Sequence, residues 1–385
     1  MIYIIALLYT FFLVYKYDIK GKKRGLETHY KFLWLLFTGV AGLSYHVGGD
    51  SIGYEEVFDT YQGVRSFNYL FKGDMFANSQ EPLWILINMI FSSVFGDFMY
   101  LKLSIAIFFN STVFWFIKKH STRPFFSILL YAVILYLHLN FQVLRESVGI
   151  SLFLIAFDKI CGEKKNYKLY FALCLVAAFT HRFSFITFII PALLFIKMNV
   201  YYYVLIGALL VAGPFINNFV FGSGLYLLND TITSSLDHFL ESDKYQIETL
   251  SVFGIIHTFI KIIPLWVLIY FSRQSKLKSL AALYVLLFVF NAVSVGILYR
   301  INDFLLIPFV VVASESFANI QKGHQSIMGF PISKGLLNGI ILLFLATTIS
   351  SHINSPNFFE YYPYSSVFTR EKVRERENLI INMIR

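Results

Sequence analysis

The chain has 385 residues, of which 57% are hydrophobic and 14% charged, where a soluble domain carries roughly a quarter charged residues. With 19% aromatic residues as well, this composition excludes a water-soluble enzyme and describes a polytopic membrane protein, because bulky apolar rings on the surface need lipid around them. The net charge of +9 has no basic, aromatic-interleaved run behind it that would track phosphates, so it encodes membrane orientation rather than nucleic-acid binding.

A membrane-spanning helix needs about 20 mostly apolar residues. In chain order the apolar runs cover roughly Ile2 to Tyr15, Phe32 to Val47, Pro82 to Phe95, Phe98 to Ile117, Phe125 to Leu139, Val148 to Ile160 and Tyr170 to Phe179. They continue with Phe183 to Ile196, Tyr201 to Phe221, Val252 to Phe271, Leu280 to Leu298, Phe304 to Phe317 and Leu336 to Ile349. The expected fold class is therefore all-α, a single bundle of about 12–13 transmembrane or half-membrane helices. Several runs are short, so some segments tilt or break partway. The first run lacks a basic region ahead and a small-residue cleavage site behind, and reads as a retained helix. The two cysteines, Cys161 and Cys174, lie in or beside apolar runs and read as buried thiols; no metal or redox chemistry is implied.

Lysine and arginine placement sets the orientation. Clusters at Lys16 to Lys31, Lys118 to Arg123, Lys159 to Lys168, Lys197, Arg273 to Lys278, and Lys322 with Lys334 collect 19 basic residues on one side. The alternate connections hold six, namely Arg65, Lys72, Arg145, Arg182, Lys244 and Arg300. The richer side is cytoplasmic by the positive-inside rule. Lys102, Lys261 and the C-terminal tail stand outside this count. One run must then fail to cross, and Pro82 to Phe95, bracketed by Glu81 and Gly96-Asp97, is expected to be re-entrant or interfacial. Two longer outer loops, about 48–81 and 222–250, carry eleven of the 23 acidic residues. The expected organisation is one membrane domain, 1–354, followed by an interfacial aromatic and charged tail, 355–385.

The informative residues are ionisable groups at the outer ends of apolar runs. Gly48-Gly49-Asp50 places a carboxylate after the second run, with Tyr54 one turn on; the alternative is a glycine C-cap followed by a solvated aspartate. Leu144-Arg145-Glu146-Ser147 offers a guanidinium fork suited to phosphate oxygens, or else an Arg145–Glu146 pair or a snorkelling chain. His181-Arg182-Phe183-Ser184 joins a proton carrier to a second guanidinium, with a hydrogen-bonded structural His181 as the alternative. In Tyr299-Arg300-Ile301-Asn302-Asp303, Arg300 is available to an anion or pairs with Asp303 three residues on. Under the lysine-derived topology, Asp50, Arg145, His181 and Arg300 fall on one side. Arg145, Arg182 and Arg300 beneath an acidic rim would suit a ligand with a diphosphate at the membrane surface and a sugar-like body above it.

The ordered set of Gly48, Asp50 and Tyr54, Glu81-Pro82, Leu144 to Ser147, His181 to Ser184, Arg300 with Phe304, and Tyr362-Pro363-Tyr364 resembles the EpsG family of bacterial exopolysaccharide proteins, which are Wzy-type polymerases. The chain departs from the family's usual pattern at Glu146, where Gln is common, and at Gly49, where Thr is common. The resemblance implies a membrane glycosyltransferase of the bacterial cytoplasmic (inner) membrane, its active site facing the outside or periplasm. It would polymerise undecaprenyl-diphosphate-linked oligosaccharide repeat units for exopolysaccharide, capsule or O-antigen. No metal and no cofactor are expected. The implied partners are that lipid-linked oligosaccharide, membrane lipid, and flippase and chain-length regulator proteins. Asp50 and His181 are the expected catalytic residues, and Arg145, Arg182, Arg300, Tyr54 and Glu81 the expected diphosphate and substrate ligands. A lipid-linked oligosaccharide flippase and a membrane acyltransferase are the alternatives from other classes.

Overall fold

A computed structural model describes residues 2–61, 80–162, 164–194, 198–199, 201–209, 252–273, 275–293, 299–323, 325–327 and 330–378. The described chain is helical almost throughout and divides into two compact units, residues 1–189 with 345–385, and residues 190–344.

The first unit opens with α1 (Ile2–Leu13), prolonged by a π-helical turn (Val14–Ile19), and α2 (Leu26–Gly42). After a short connection come α3 (Gly49–Thr60), α4 (Pro82–Val94) and α5 (Phe98–His120). Local chemistry sets several boundaries. Gly25, at φ 80°, precedes α2; Pro82 opens α4, where a missing N–H costs nothing; and the Asp97 carboxylate accepts from the Met99 N–H at 2.8 Å to start α5. Lys118, Lys119 and His120 complement the negative end of α5. At the crossing of α2 and α5, a Cβ on Gly42 would lie 2.6 Å from a Leu103 methyl and 3.1 Å from the Leu103 Cα, so glycine lets the two helices approach closely.

The chain continues as α6 (Pro124–Ile134), a π-helical turn (His138–Gln142), α7 (Leu144–Cys161) and α8 (Tyr167–Thr180), then a 3₁₀ segment (Arg182–Phe188). The Asn166 side chain caps α8 through the Leu169 N–H at 3.0 Å, and α7 and α8 pack as a helical hairpin. Asn110, Tyr131 and Asn140 close a buried hydrogen-bonded triangle between α5, α6 and the π-helical turn, the kind of polar glue that joins helices in an apolar solvent.

The C-terminal residues do not trail from the bundle. Tyr45 N–H donates to Ser365 at 3.0 Å, Val367 N–H donates to Leu43 at 2.9 Å, and the fully buried Arg376 donates to the carbonyls of Phe359 and His46 at 2.8 and 2.9 Å. The partners at Leu43, Tyr45 and His46 lie just past the end of α2 at Gly42, where the backbone has left the helix and is open to pairing.

The second unit holds α9 (Ile190–Leu193), α10 (201–209), α11 (Val252–Tyr270), α12 (Ser275–Val293), α13 (Tyr299–Gln321), the hairpin β1–β2 (Gln325–Ile327 and Phe330–Ile332) and most of α14 (Lys334–Ile353). α13 is buried along nearly its whole length. Glu315, inside an apolar run, accepts from Ser272, and Lys278 closes the same corner through the Tyr270 and Ser272 carbonyls.

Among the described residues four helical stretches are long and apolar enough to cross a membrane: Ile2–Ile19, Phe98–His120, Tyr299–Gln321 and Lys334–Ile353. Shorter apolar helices accompany them, so the molecule is an all-α polytopic membrane protein. α4 has 13 residues, about 20 Å of helix, shorter than the roughly 30 Å hydrocarbon layer. The region expected as the loop 48–81 is helical over α3; its polar sequence carries little apolar periodicity, and buried Ile52 and Phe58 hold it to the unit. The second expected loop, 222–250, lies outside the described residues.

Candidate functional site

The first unit gathers ionisable side chains where helices begin. Glu81 occupies the N-cap of α4, yet its carboxylate makes no cap hydrogen bond and turns to two arginines. Arg145, in the first turn of α7, donates from Nη1 to Glu81 Oε2 at 2.9 Å. Glu81 Oε1 accepts from the Arg182 backbone N–H at 3.0 Å and lies 3.6 Å from Arg182 Nε, at the start of the 3₁₀ segment. His181 stands between two carboxylates, with Nδ1 3.9 Å from Glu81 and Nε2 3.5 Å from Glu146.

Exposure grades across the cluster. Glu146 is fully buried, His181 and Glu81 nearly so, Arg145 is partly exposed, and the Arg182 side chain is half-exposed. The guanidinium of Arg145 sits 5.7 Å above the Tyr54 ring, and Tyr54 meets the buried Trp84 edge-on at 5.6 Å. Beneath lies an apolar floor of Phe58, Trp84, Phe98, Leu101, Leu144 and Val148. Polar heads are thereby fixed over a packed base, which is how a binding constellation is kept preorganised.

Asp50 reaches the same corner through α3. It is exposed, shares one face with Tyr54 four residues on, and its N–H donates to Gln142 Oε1 at 2.9 Å, three residues before Arg145. Gln142 in turn donates to the Glu360 carboxylate, and Gly48 N–H donates to the Glu360 carbonyl at 2.8 Å. Gly48 has φ 87°, and a Cβ there would lie 2.2 Å from the Phe141 carbonyl oxygen, so glycine is required for this approach.

The structure thus brings Asp50, Tyr54, Glu81, Arg145, His181 and Arg182 into one unit, with Glu81 as the hub rather than part of a rim. Arg145 pairs with Glu81, and Glu146 faces His181. Arg300 belongs to the second unit, in the first turn of α13, with its guanidinium 5.4 Å from the Tyr299 ring and Asp303 buried one turn further on. Gln142 and Glu360 were not singled out from sequence; a buried amide and a carboxylate some 200 residues apart give no local signal of their pairing.

Chemically, two guanidinium groups, two carboxylates and one imidazole come together where α4, α7 and the 3₁₀ segment present their N-terminal ends. Positive helix ends and arginine forks favour an anion, and the carboxylates hold those forks in place when no anion is bound. The fold and site define a polytopic membrane protein with an ionisable site built at helix termini. The EpsG family profile matches residues 27–366, so the chain belongs to the EpsG family, which is associated with Wzy-type polymerases and with a polysaccharide polymerase-type function. No curated protein and no solved structure gives a significant match to the chain.

Proposed function

We propose that the protein polymerises lipid-linked oligosaccharide repeat units, releasing the growing glycan from an undecaprenyl diphosphate and joining it to the terminal sugar of another lipid-linked unit. The observation that carries this reading is the Glu81 hub, which holds Arg145 and Arg182 side by side at converging helix N-termini within a family of polysaccharide polymerases. Departure of a diphosphate from an anomeric carbon builds negative charge on its oxygens, and fixed guanidinium groups stabilise charge that develops in the transition state. Arg145 and Arg182 hold the diphosphate in this proposal, with Tyr54 and Glu81 keeping Arg145 oriented; Arg300, in the second unit, is a separate candidate cation.

The attacking hydroxyl gives its proton to Asp50 or to His181. Asp50 is the accessible one, whereas His181 lies nearly buried between Glu81 and Glu146 and serves equally as the group that positions them. In this proposal the site lies on the outer face of the cytoplasmic membrane, a placement that the lysine distribution supports. Flippase and chain-length regulator proteins act beside it in this proposal.

A deletion strain tests the reading. Single lipid-linked repeat units accumulating on the outer face are the expected result. Accumulation on the inner face assigns a flippase instead, and full-length polymer lacking a substituent assigns an acyltransferase.

A further inference from the structure

A second polar feature in the first unit is separate from the Glu81 hub. A cavity of about 170 Å³ is lined by Ser51, Glu55, Asp59, Asp97, Lys102 and Arg370, together with Tyr45 and His46. Ser51, Glu55 and Asp59 repeat every four residues along α3 and share a face, turned roughly 120° from the one carrying Asp50 and Tyr54 at 100° per residue. One short helix therefore serves both features.

Lys102 is the unusual member. It lies within α5, in a stretch long and apolar enough to cross a membrane, and is 3% exposed. Among the described residues its ammonium makes one hydrogen bond, to Ser51 Oγ at 2.9 Å, although it carries three donors. A buried ammonium is retained only where polar partners offset its desolvation. Here the remaining donors border the cavity.

The walls mix acceptors and donors. Glu55, Asp59 and Asp97 accept; Lys102 and Arg370 donate; and the Tyr45 ring, stacked on His46 with centroids 4.1 Å apart, adds a flat aromatic face. His46 is itself held by Glu55 at 3.1 Å, and Arg370 by Asp97 at 3.3 Å, which fixes the walls. Hydroxyl groups both donate and accept, so a polyol ring satisfies such a surface from all sides. An acyl chain would leave the charges desolvated, and a phosphate would meet three carboxylates. At about 30 Å³ of liquid volume per water, the cavity has room for about six waters, roughly the space of one sugar ring.

We infer that this cavity is a sugar subsite that holds a single ring of the acceptor glycan, one helix face away from the Glu81 hub. The inference rests on the polymerase reading for the word acceptor, but sugar binding itself is measured without catalysis. The probe is the free oligosaccharide released by mild acid from the native lipid-linked unit, titrated against the purified full-length protein. Lys102→Met and Asp59→Asn are each expected to weaken its binding about tenfold or more, roughly 1.4 kcal/mol per decade, while binding of a polyprenyl diphosphate without sugar stays within about twofold. Should Lys102→Met fail to fold, Asp59→Asn decides alone. Unchanged oligosaccharide affinity in the folded variants, or no binding to the wild type, overturns the subsite even where lipid-linked units are still elongated. Variant-sensitive binding without elongation of lipid-linked units by the wild type leaves the subsite standing and removes the polymerase reading.

Discussion

At Arg145, geometry is expected to matter more than charge. Its guanidinium meets the Glu81 carboxylate at 2.9 Å and lies over the Tyr54 ring, two contacts that a lysine ammonium reproduces poorly. Arg145→Lys is therefore expected to cut polymer yield at least about tenfold, a loss of roughly 1.4 kcal/mol of transition-state stabilisation, at unchanged protein abundance; yield near that of the wild type would show that a point charge suffices. Asp50→Ala and Arg300→Ala are each expected to abolish long-chain polysaccharide, scored by gel profile at matched expression, and normal chain length shows that the residue concerned is not needed for polymerisation. The individual groups at Asp50, Glu81, Arg145, His181 and Arg182 were legible in sequence because an ionisable residue beside an apolar run stands out. Their pairing was not. Glu81 and Arg182 are 101 residues apart, and which carboxylate meets which guanidinium follows from helix packing that local periodicity does not encode. Lys102 carried a signal in sequence, a charge inside an apolar run, but its partner Ser51 lies 51 residues away in the chain.

Among the elements, α3 is the least legible and the most consequential. Its sequence, GDSIGYEEVFDT, is too polar to announce a helix, and tertiary contacts at both ends set it in place. At its start, Gly48→Ala would put a Cβ against the Phe141 carbonyl at a positive φ, so a loss of about 1–3 kcal/mol is expected, visible as a lower melting temperature in detergent. An unchanged melting temperature would mean that the loop before α3 relaxes freely. Along its length, Glu55 pairs with His46, which follows the end of α2 and also bonds Glu377 in the C-terminal segment. Burial opposes the charged imidazole, but the hydrogen bonds it donates to the Glu55 and Glu377 carboxylates outweigh that and hold His46 above the ordinary histidine range. Because the folded value is raised, this clasp contributes fully below about pH 6.5 and is lost as pH rises through the folded value. Melting temperature is thus expected to fall as pH rises from 6 toward 8, and His46→Gln to flatten that slope; equal slopes would deny the clasp a role.

For the whole molecule, 14% charge and 19% aromatic content marked a membrane protein, and the succession of long apolar runs marked it as all-α. The division into two units was hidden, since both read as the same succession of apolar runs, and the docking of the C-terminal segment depends on backbone partners near Leu43 and Tyr45. The orientation expected from the lysines is tested by labelling. In a background lacking Cys161 and Cys174, Glu56→Cys should react with an impermeant thiol reagent added outside, and Lys164→Cys only after the membrane is opened. The reverse pattern would invert the topology.

The most direct test is reconstitution of the purified protein in liposomes with the native lipid-linked repeat unit as the sole substrate. A ladder of products growing by whole repeat units, lost in Arg145→Ala, is the predicted result. Unextended single units with folded wild-type protein, or an undiminished ladder from Arg145→Ala, would contradict the account.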